Sequence, residues 1–470
     1  MKSFFFLTSK ICLTIVVILL PSSFLIAQWG PPVKLSIHGK SAVLNENANQ
    51  CMAVNGDTLN VVWSDHRTNG YAIYYERSTD SGMTWDPAVP VTDTAGKATM
   101  PAIAVSGLTV HIVWMDSIQG HRASYYRHSL DGGNTWGPVV VLDSNTTFWP
   151  GIAANGPKVY ATINNNLTSA NSEVFLRRSV DNGTNWEPEQ QISHANGRSE
   201  DPAIAVQGDN VKLVWNDNRN GNMQIYYCSS TDAGVTWGPE TSLINGGAMS
   251  YCPMICLNNA NADVPCGDTR YGNYDIFLKH SDDLGVDWQL EQRLTTDLNT
   301  DVYPFMVRDG QKIHIVYDQF GQGGWYLYSG DGGSTWDSSV YMGNGLQFFI
   351  GYTGCILHVI WADSSTVYYK RNPTGNCVTA GVRNFATDKK LVTVYPNPFT
   401  SQTTVEISST GNVGTALIKV FDANGQELLS KSFGKARRIT INKEELQPGV
   451  YFYQVFQNKG IIATGKIMVL

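Results

Sequence analysis

Three short stretches of this chain place an arginine two positions after an aspartate: Asp65-His66-Arg67, Asp217-Asn218-Arg219 and Asp268-Thr269-Arg270. Asp116 and Arg122 form a looser version. A guanidinium is a planar fork of donors that grips a carboxylate through parallel hydrogen bonds. Arg67, Arg219 and Arg270 could therefore converge on an acidic substrate. Their recurrence favours a plainer role, in which each Asp-x-Arg closes its own loop with a local ion pair. A second series is the X-Pro steps Met100-Pro101, Trp149-Pro150, Asp201-Pro202, Cys252-Pro253 and Tyr303-Pro304. Trp149 and Tyr303 offer flat apolar faces, with Tyr251 one residue before its step. Glu200 and Asp201 offer carboxylates, and Arg198 is close by. Aromatic faces beside Asp217, Arg219, Asp268 and Arg270 suit a sugar ring, which is apolar on its face and polar at its rim. A buried Asp201 or Glu200 can serve as a general acid. His194, Tyr251 and Arg219 are the groups a lyase chemistry would draw on.

Other polar clusters bind nothing by pattern. Asp297-Leu298-Asn299-Thr300-Asp301 begins like a calcium loop, but Val302 and Arg308 stand where an EF-hand needs Gly and Glu. No cofactor is expected, and no metal beyond a loose structural calcium. The chain has eight cysteines. Cys355 and Cys377 flank the last strand-like runs of the repeat region and can pin its end. Cys252, Cys256 and Cys266 cluster, so that one pair can form; their spacing matches no zinc framework. A formal net charge of −7 argues against a nucleic-acid partner.

These groups are carried on a repeat. The pattern Ser-x-Asp-x-Gly-x-Thr-Trp begins at Ser78, Ser129, Ser179, Ser230, Ser281 and Ser329, with Asn185 and Asp287 replacing Thr in two copies. Its tryptophans, Trp85, Trp136, Trp186, Trp237, Trp288 and Trp336, are 51, 50, 51, 51 and 48 residues apart. A period of that size means one structural unit stacked many times. Each unit holds four short runs rich in Val, Ile, Tyr and Trp. In the second they are Pro101–Ser106, Val110–Met115, Ala123–His128 and Trp136–Leu142. Four antiparallel strands per unit, repeated radially, predict an all-β propeller. The octapeptide falls at the turn between third and fourth strands, where Asp80, Asp131, Asp181, Asp232, Asp283 and Asp331 bond the turn's own backbone.

These octapeptides resemble the Asp-box, or BNR, repeats of sialidase-like propellers. Seven second-strand runs stand against six Asp-boxes, and Trp29–Ser36 reads like Trp136–Asp143. The expectation is a seven-bladed propeller closed by the N-terminal strand. The resemblance implies a site on the face away from the Asp-boxes. An active sialidase would also need an arginine triad, a Tyr–Glu nucleophile pair and an Asp acid. The Arg-Ile-Pro-type motif that carries the first arginine there is missing here, and that family usually has six blades.

The ends carry addresses. Met1-Lys2 precedes the apolar runs Phe4–Leu7 and Ile11–Leu20, ending near Ala27: a secretory signal over residues 1–27. The propeller is assigned to 28–372 and a linker to 373–390. Residues 391–470 read as a small β-sandwich. Tyr395-Pro396-Asn397-Pro398-Phe399, Leu446-Gln447-Pro448-Gly449-Val450-Tyr451 and the terminal strand with Lys466 resemble the type A C-terminal sorting domain of type IX secretion in Bacteroidota. That resemblance implies the secretion machinery as a partner, no transmembrane segment after signal cleavage, and release or attachment at the cell surface. The reading is an exported propeller that binds a glycan or surface-protein ligand. The alternative is a glycan-active enzyme of the sialidase-like group.

Overall fold

The computed structural model describes residues 29–36, 41–45, 49–67, 70–93, 96–117, 122–144, 147–166, 171–244, 249–373, 392–407, 416–422, 427–433, 436–457 and 460–470. The expected leader, Cys377 and most of the expected linker lie outside them. The described residues are all-β, with one 3-10 turn and no α-helix. They fall into two units, divided between Asn376 and Cys377.

The first unit holds seven antiparallel sheets of four strands, two of them with a divided first strand. The second sheet is typical: Thr99–Ser106, Thr109–Asp116, Ala123–Ser129 and Val140–Asp143. Thr109–Asp116 is buried along its whole length because other sheets cover both its faces. A strand buried on both faces reads as a near-continuous apolar run, as Val110, Ile112, Val113 and Trp114 do. The expected fourth strand, Trp136–Leu142, is shorter than its sequence suggested. Trp136 leaves the sheet to stand edge-on to Tyr75 of the first sheet, ring centroids 5.1 Å apart. Consecutive sheets pack first strand to first strand, and Leu346–Thr353 of the seventh also packs against Met52–Asn55 of the first.

The Asp-box turns lock these contacts. Ser129 Oγ donates to Asp131 Oδ1 at 2.7 Å, and Gly133 N donates back to Ser129 Oγ at 2.8 Å. Thr135 donates to Asp131 through N at 2.8 Å and through Oγ1 at 2.7 Å. The Ser-to-Asp bond recurs in all six turns at 2.7–2.9 Å. The Thr135 hydroxyl and amide and the Ser129 hydroxyl hold Asp131 down to about 2. Gly133 is required: its φ is +88°, and a Cβ there would meet the Tyr75 hydroxyl at 2.3 Å.

The N-terminal segment repeats this geometry without an Asp-box. Val33 and Lys34 pair with Tyr369 and Tyr368 of the seventh sheet. Gly30 N donates to Arg371 O at 2.8 Å, as Gly137 N does to His128 O at 2.9 Å. Trp29 stands edge-on to Tyr326 of the sixth sheet at 5.3 Å.

Buried histidines mark the second strands. His111, His314 and His358 meet the hydroxyls of Tyr126, Tyr326 and Tyr369 through Nδ1 at 2.7, 2.8 and 2.8 Å. Burial pushes each imidazole down to about 3. The first sheet solves the same problem with Asn60, whose Oδ1 accepts from the Tyr75 hydroxyl at 2.6 Å. A histidine that stays neutral when folded binds a proton only after unfolding, so its contribution is full above the unfolded value near 6.5. It is lost as pH falls from there toward 3. His111→Asn should keep the tyrosine bond and flatten the acid slope of stability by about 1.4 kcal/mol per pH unit between pH 6 and 4. Urea unfolding across that range checks it; a slope equal to wild type would refute a neutral buried His111.

In the second unit a three-stranded sheet (Val392–Tyr395, Gln402–Ile407, Arg438–Asn442) and a four-stranded one (Leu417–Phe421, Glu427–Ser432, Gly449–Gln457, Gly460–Val469) share one core. The Tyr395–Phe399 motif ties down the last strand. Asn397 Nδ2 donates to Lys466 O at 2.7 Å, and Asn397 Oδ1 accepts from Met468 N at 2.9 Å. Phe399 is buried, its amide bonded to Met468 O at 3.0 Å. Tyr451 donates its hydroxyl to Gln447 O at 2.7 Å.

Candidate functional site

Antiparallel pairing gives every sheet of the first unit two ends. The Asp-box lies at one; the X-Pro step and the Asp-x-Arg loop lie at the other. At that second end the first strands share an unusual backbone. Met100, Trp149, Asp201, Cys252, Tyr303 and Gln347 all have φ between 47° and 61°. In five of the six sheets the strand register shifts across this residue, as in a β-bulge. A left-handed non-glycine residue costs on the order of 1–3 kcal/mol and persists only where its surroundings over-determine it.

The arginines are not brought together. Arg67 Nε donates to Asp65 Oδ2 at 2.8 Å, and its guanidinium lies 3.8 Å over the Tyr74 ring. Arg219 donates to Asp217 at 2.8 and 2.6 Å and stacks on Tyr226. Arg270 donates to Asp268 at 2.9 and 3.0 Å and stacks on Phe277. Each is closed on the aspartate of its own loop. Asp217 and Asp268 are fully buried and also accept from Ser199 and Ser250. Burial pushes both carboxyls up, but the hydrogen bonds led by Arg219 and Arg270 outweigh it and leave them lowered. The looser pair does not form as read: Asp116 accepts from the amides of Lys97 and Ser117, while Arg122 stacks on Phe148. The reason is chain length, since a six-residue gap lets each find a different partner.

One cavity does form at this end. It encloses about 200 Å3 and is lined by Tyr251, Cys252, Gly267, Tyr274, Val302 and Tyr303. Tyr251 and Tyr303 were legible in the sequence; Tyr274 and Val302 were not. Tyr274 enters because its carbonyl accepts from Asp301 N at 2.8 Å, which docks the third strand of the fifth sheet on the sixth. Asp201 adjoins the Tyr251 hydroxyl. It is 3% exposed and accepts from Asn216 Nδ2 at 2.6 Å. Burial, then the neighbouring Glu200, push Asp201 up to about 7. Glu200 is ion-paired to Arg198 at 2.9 Å. Trp149 lies elsewhere: its ring is 5.4 Å from Phe148, and its carbonyl accepts from Asn49. His194 also lies away from the cavity, bonded at 3.0 Å to Glu240, which Arg219 contacts at 2.5 Å. Glu240 does have a sequence signal: a glutamate stands three residues after the Asp-box tryptophan at Glu189, Glu240 and Glu291, and Glu291 contacts Arg270 as Glu240 contacts Arg219.

The cysteine expectations divide. Cys355 is disulfide-bonded; its expected partner Cys377 lies outside the described residues. Cys252, Cys256 and Cys266 are free thiols, contrary to the pair expected among them. Cys256 pairs opposite Asp263, three residues from Cys266 on the same strand, so the two side chains leave opposite faces of the sheet. No group of three or more His, Cys, Asp or Glu side chains able to hold a metal occurs among the described residues.

Residues 170–344 match the BNR repeat-like domain, and residues 393–470 match the secretion system C-terminal sorting domain. The chain carries both domains. The sorting domain is that of type IX secretion and sends the protein to the cell surface or the extracellular space. No helix among the described residues is long and apolar enough to cross a membrane. The BNR match runs from the third sheet to the sixth, and the same turns continue outside it at Ser78 and Ser129. No curated protein matches the chain. Among solved structures, an ulvan lyase described as a new family of polysaccharide lyase is 12% identical, with a TM-score of 0.51 over 72% of this chain and 95% of its own. An α-L-arabinofuranosidase of Fusarium graminearum is 14% identical, TM-score 0.45, over 58% and 91%. A Trypanosoma rangeli sialidase is 12% identical, TM-score 0.42, over 93% and 88%. At 12% identity the likeness to the ulvan lyase is one of fold alone.

Proposed function

We propose that the seven sheets are blades of one closed propeller and that the exported protein binds glycan at the tyrosine-lined cavity. Closure is supported by contacts between the first and last sheets. Trp85 stands edge-on to Tyr369 at 4.9 Å, and Leu44 N donates to Gln347 Oε1 at 2.9 Å. The pairing of Val33–Lys34 supplies the fourth strand that the seventh sheet otherwise lacks. The observation that carries the function is the cavity itself, with three tyrosines in its lining and the buried Asp201 carboxyl beside Tyr251. That combination suits one ring-sized polar group with an apolar face. The ulvan lyase of like fold makes polysaccharide the first ligand class to test.

A glycan array on the mature protein is expected to give binding. Tyr303→Ala should reduce that binding at least tenfold at unchanged melting temperature. An empty array would end the proposal.

Asp201 favours a second reading, a glycan-active enzyme. A carboxyl raised to about 7 has the poise of a general acid. A fluorogenic sialoside assay separates the two. The binder predicts no turnover; turnover abolished by Arg219→Ala but not by Arg77→Ala would replace it with a sialidase.

A further inference from the structure

The charges around the tyrosine cavity are one-sided. No cation lines it. The guanidinium that acts on Asp201, that of Arg198, is tied to Glu200 at 2.9 Å. Arg67, Arg219 and Arg270 are each spent on their own aspartates. Two carboxyls, those of Asp201 and Asp318, act on the Cys252 thiol in the cavity wall. Both are buried, and neither is ion-paired among the described residues. Asp318 accepts from the amides of Gln347 and Phe348 at 2.7 and 3.3 Å. Asp201 Oδ2 takes the Asn216 amide, while Oδ1 accepts no well-aligned hydrogen bond among the described residues.

The Tyr251 hydroxyl is the cavity-wall group that reaches Asp201, and a ligand that offers a buried carboxyl a stronger, charged donor is favoured. Tyr251, Tyr274 and Tyr303 line the cavity, and a tyrosine ring met face-on attracts a cation and repels an anion. A carboxylated sugar in this cavity would lie near the Asp201 and Asp318 carboxyls behind its wall, with no guanidinium in the lining to pair with it. A protonated amine would meet rings at the wall and Asp201 behind them.

We infer that the cavity takes a sugar ring bearing a protonated amine and turns away sugars bearing carboxylate. This rests on the glycan-binding reading above and names its substrate class. The aromatic wall binds the ring face; the buried carboxyls select its charge.

Titration calorimetry on the mature protein tests it with three probes: a glucosamine tetramer, its fully N-acetylated counterpart and a glucuronate oligomer. The glucosamine tetramer should bind at least tenfold more tightly than the acetylated one, and the glucuronate oligomer should not bind. Asp201→Asn should reduce the preference for the glucosamine tetramer over its acetylated counterpart at least fivefold. Should that variant fold poorly, the wild type suffices. Ethylammonium chloride should displace the glucosamine tetramer where sodium chloride of equal ionic strength does not. Equal affinity for the first two probes, preference for glucuronate, or equal displacement by the two salts overturns the inference. A lysine peptide bound in place of every sugar overturns it as well. Neutral or acidic glycan bound at Tyr303 defeats only the charge selection; no glycan bound at all defeats the function proposed above.

Discussion

Trp29→Ala is expected to lower the stability of the repeat unit by about 3 kcal/mol, the low end for loss of a packed tryptophan. Trp29 is half-buried against Tyr326, just as Trp136 is against Tyr75. The two substitutions should therefore cost alike. Removing residues 29–36 outright should cost more. It also leaves the last strand of the seventh sheet, Val367–Asn372, with an unpaired edge, an exposed row of donors and acceptors that invites association. Thermal unfolding and light scattering read both effects. If the truncated protein melts with the wild type while Trp136→Ala does not, the N-terminal segment is an ornament on the seventh sheet and closure is lost with it.

The second large effect lies between the fifth and sixth sheets. Arg308 places Nη1 2.9 and 2.8 Å from the two oxygens of Asp263, and His280 Nδ1 stands 2.7 Å from the same carboxylate. The Arg308 side chain is 1% exposed and that of Asp263 fully buried. Desolvating both ions consumes most of what their attraction returns, so the pair is a modest asset while intact. Breaking it is another matter. Arg308→Met leaves the buried Asp263 with His280 alone in place of a permanent positive charge and should cost about 3 kcal/mol. The double replacement Asp263→Leu with Arg308→Met should recover most of that loss, because no orphaned charge remains. Denaturant unfolding of the single and double variants decides it. A double variant no better than the single would show that the pair is a strong net contributor.

The sequence was most informative where one local interaction repeats. Ser129, Asp131, Gly133 and Trp136 bond their own turn or the adjoining sheet, so six copies announce the same geometry. The likeness of Trp29–Ser36 to Trp136–Asp143 worked for the same reason: tryptophan and glycine make the same two contacts in both places. The balance between loop closure and substrate grip was also legible for Arg67, Arg219 and Arg270, since a device found in several sheets is more often architectural. What could not be read was any contact made across sheets by unlike residues. Tyr251 adjoins Asp201 from half a hundred residues away, and Tyr274 lines the cavity because of a backbone bond to Asp301. The histidines themselves recur, each three residues before the second-strand aromatic at Trp114, Tyr317 and Trp361, but that pattern does not say that a tyrosine hydroxyl of the third strand keeps them neutral.

The bulge at the head of the first strands holds a methionine, a tryptophan, an aspartate, a cysteine, a tyrosine and a glutamine in nearly one backbone conformation. Geometry there is indifferent to what it carries. Six seats of fixed posture can thus be refitted one at a time while the framework beneath stays as it is.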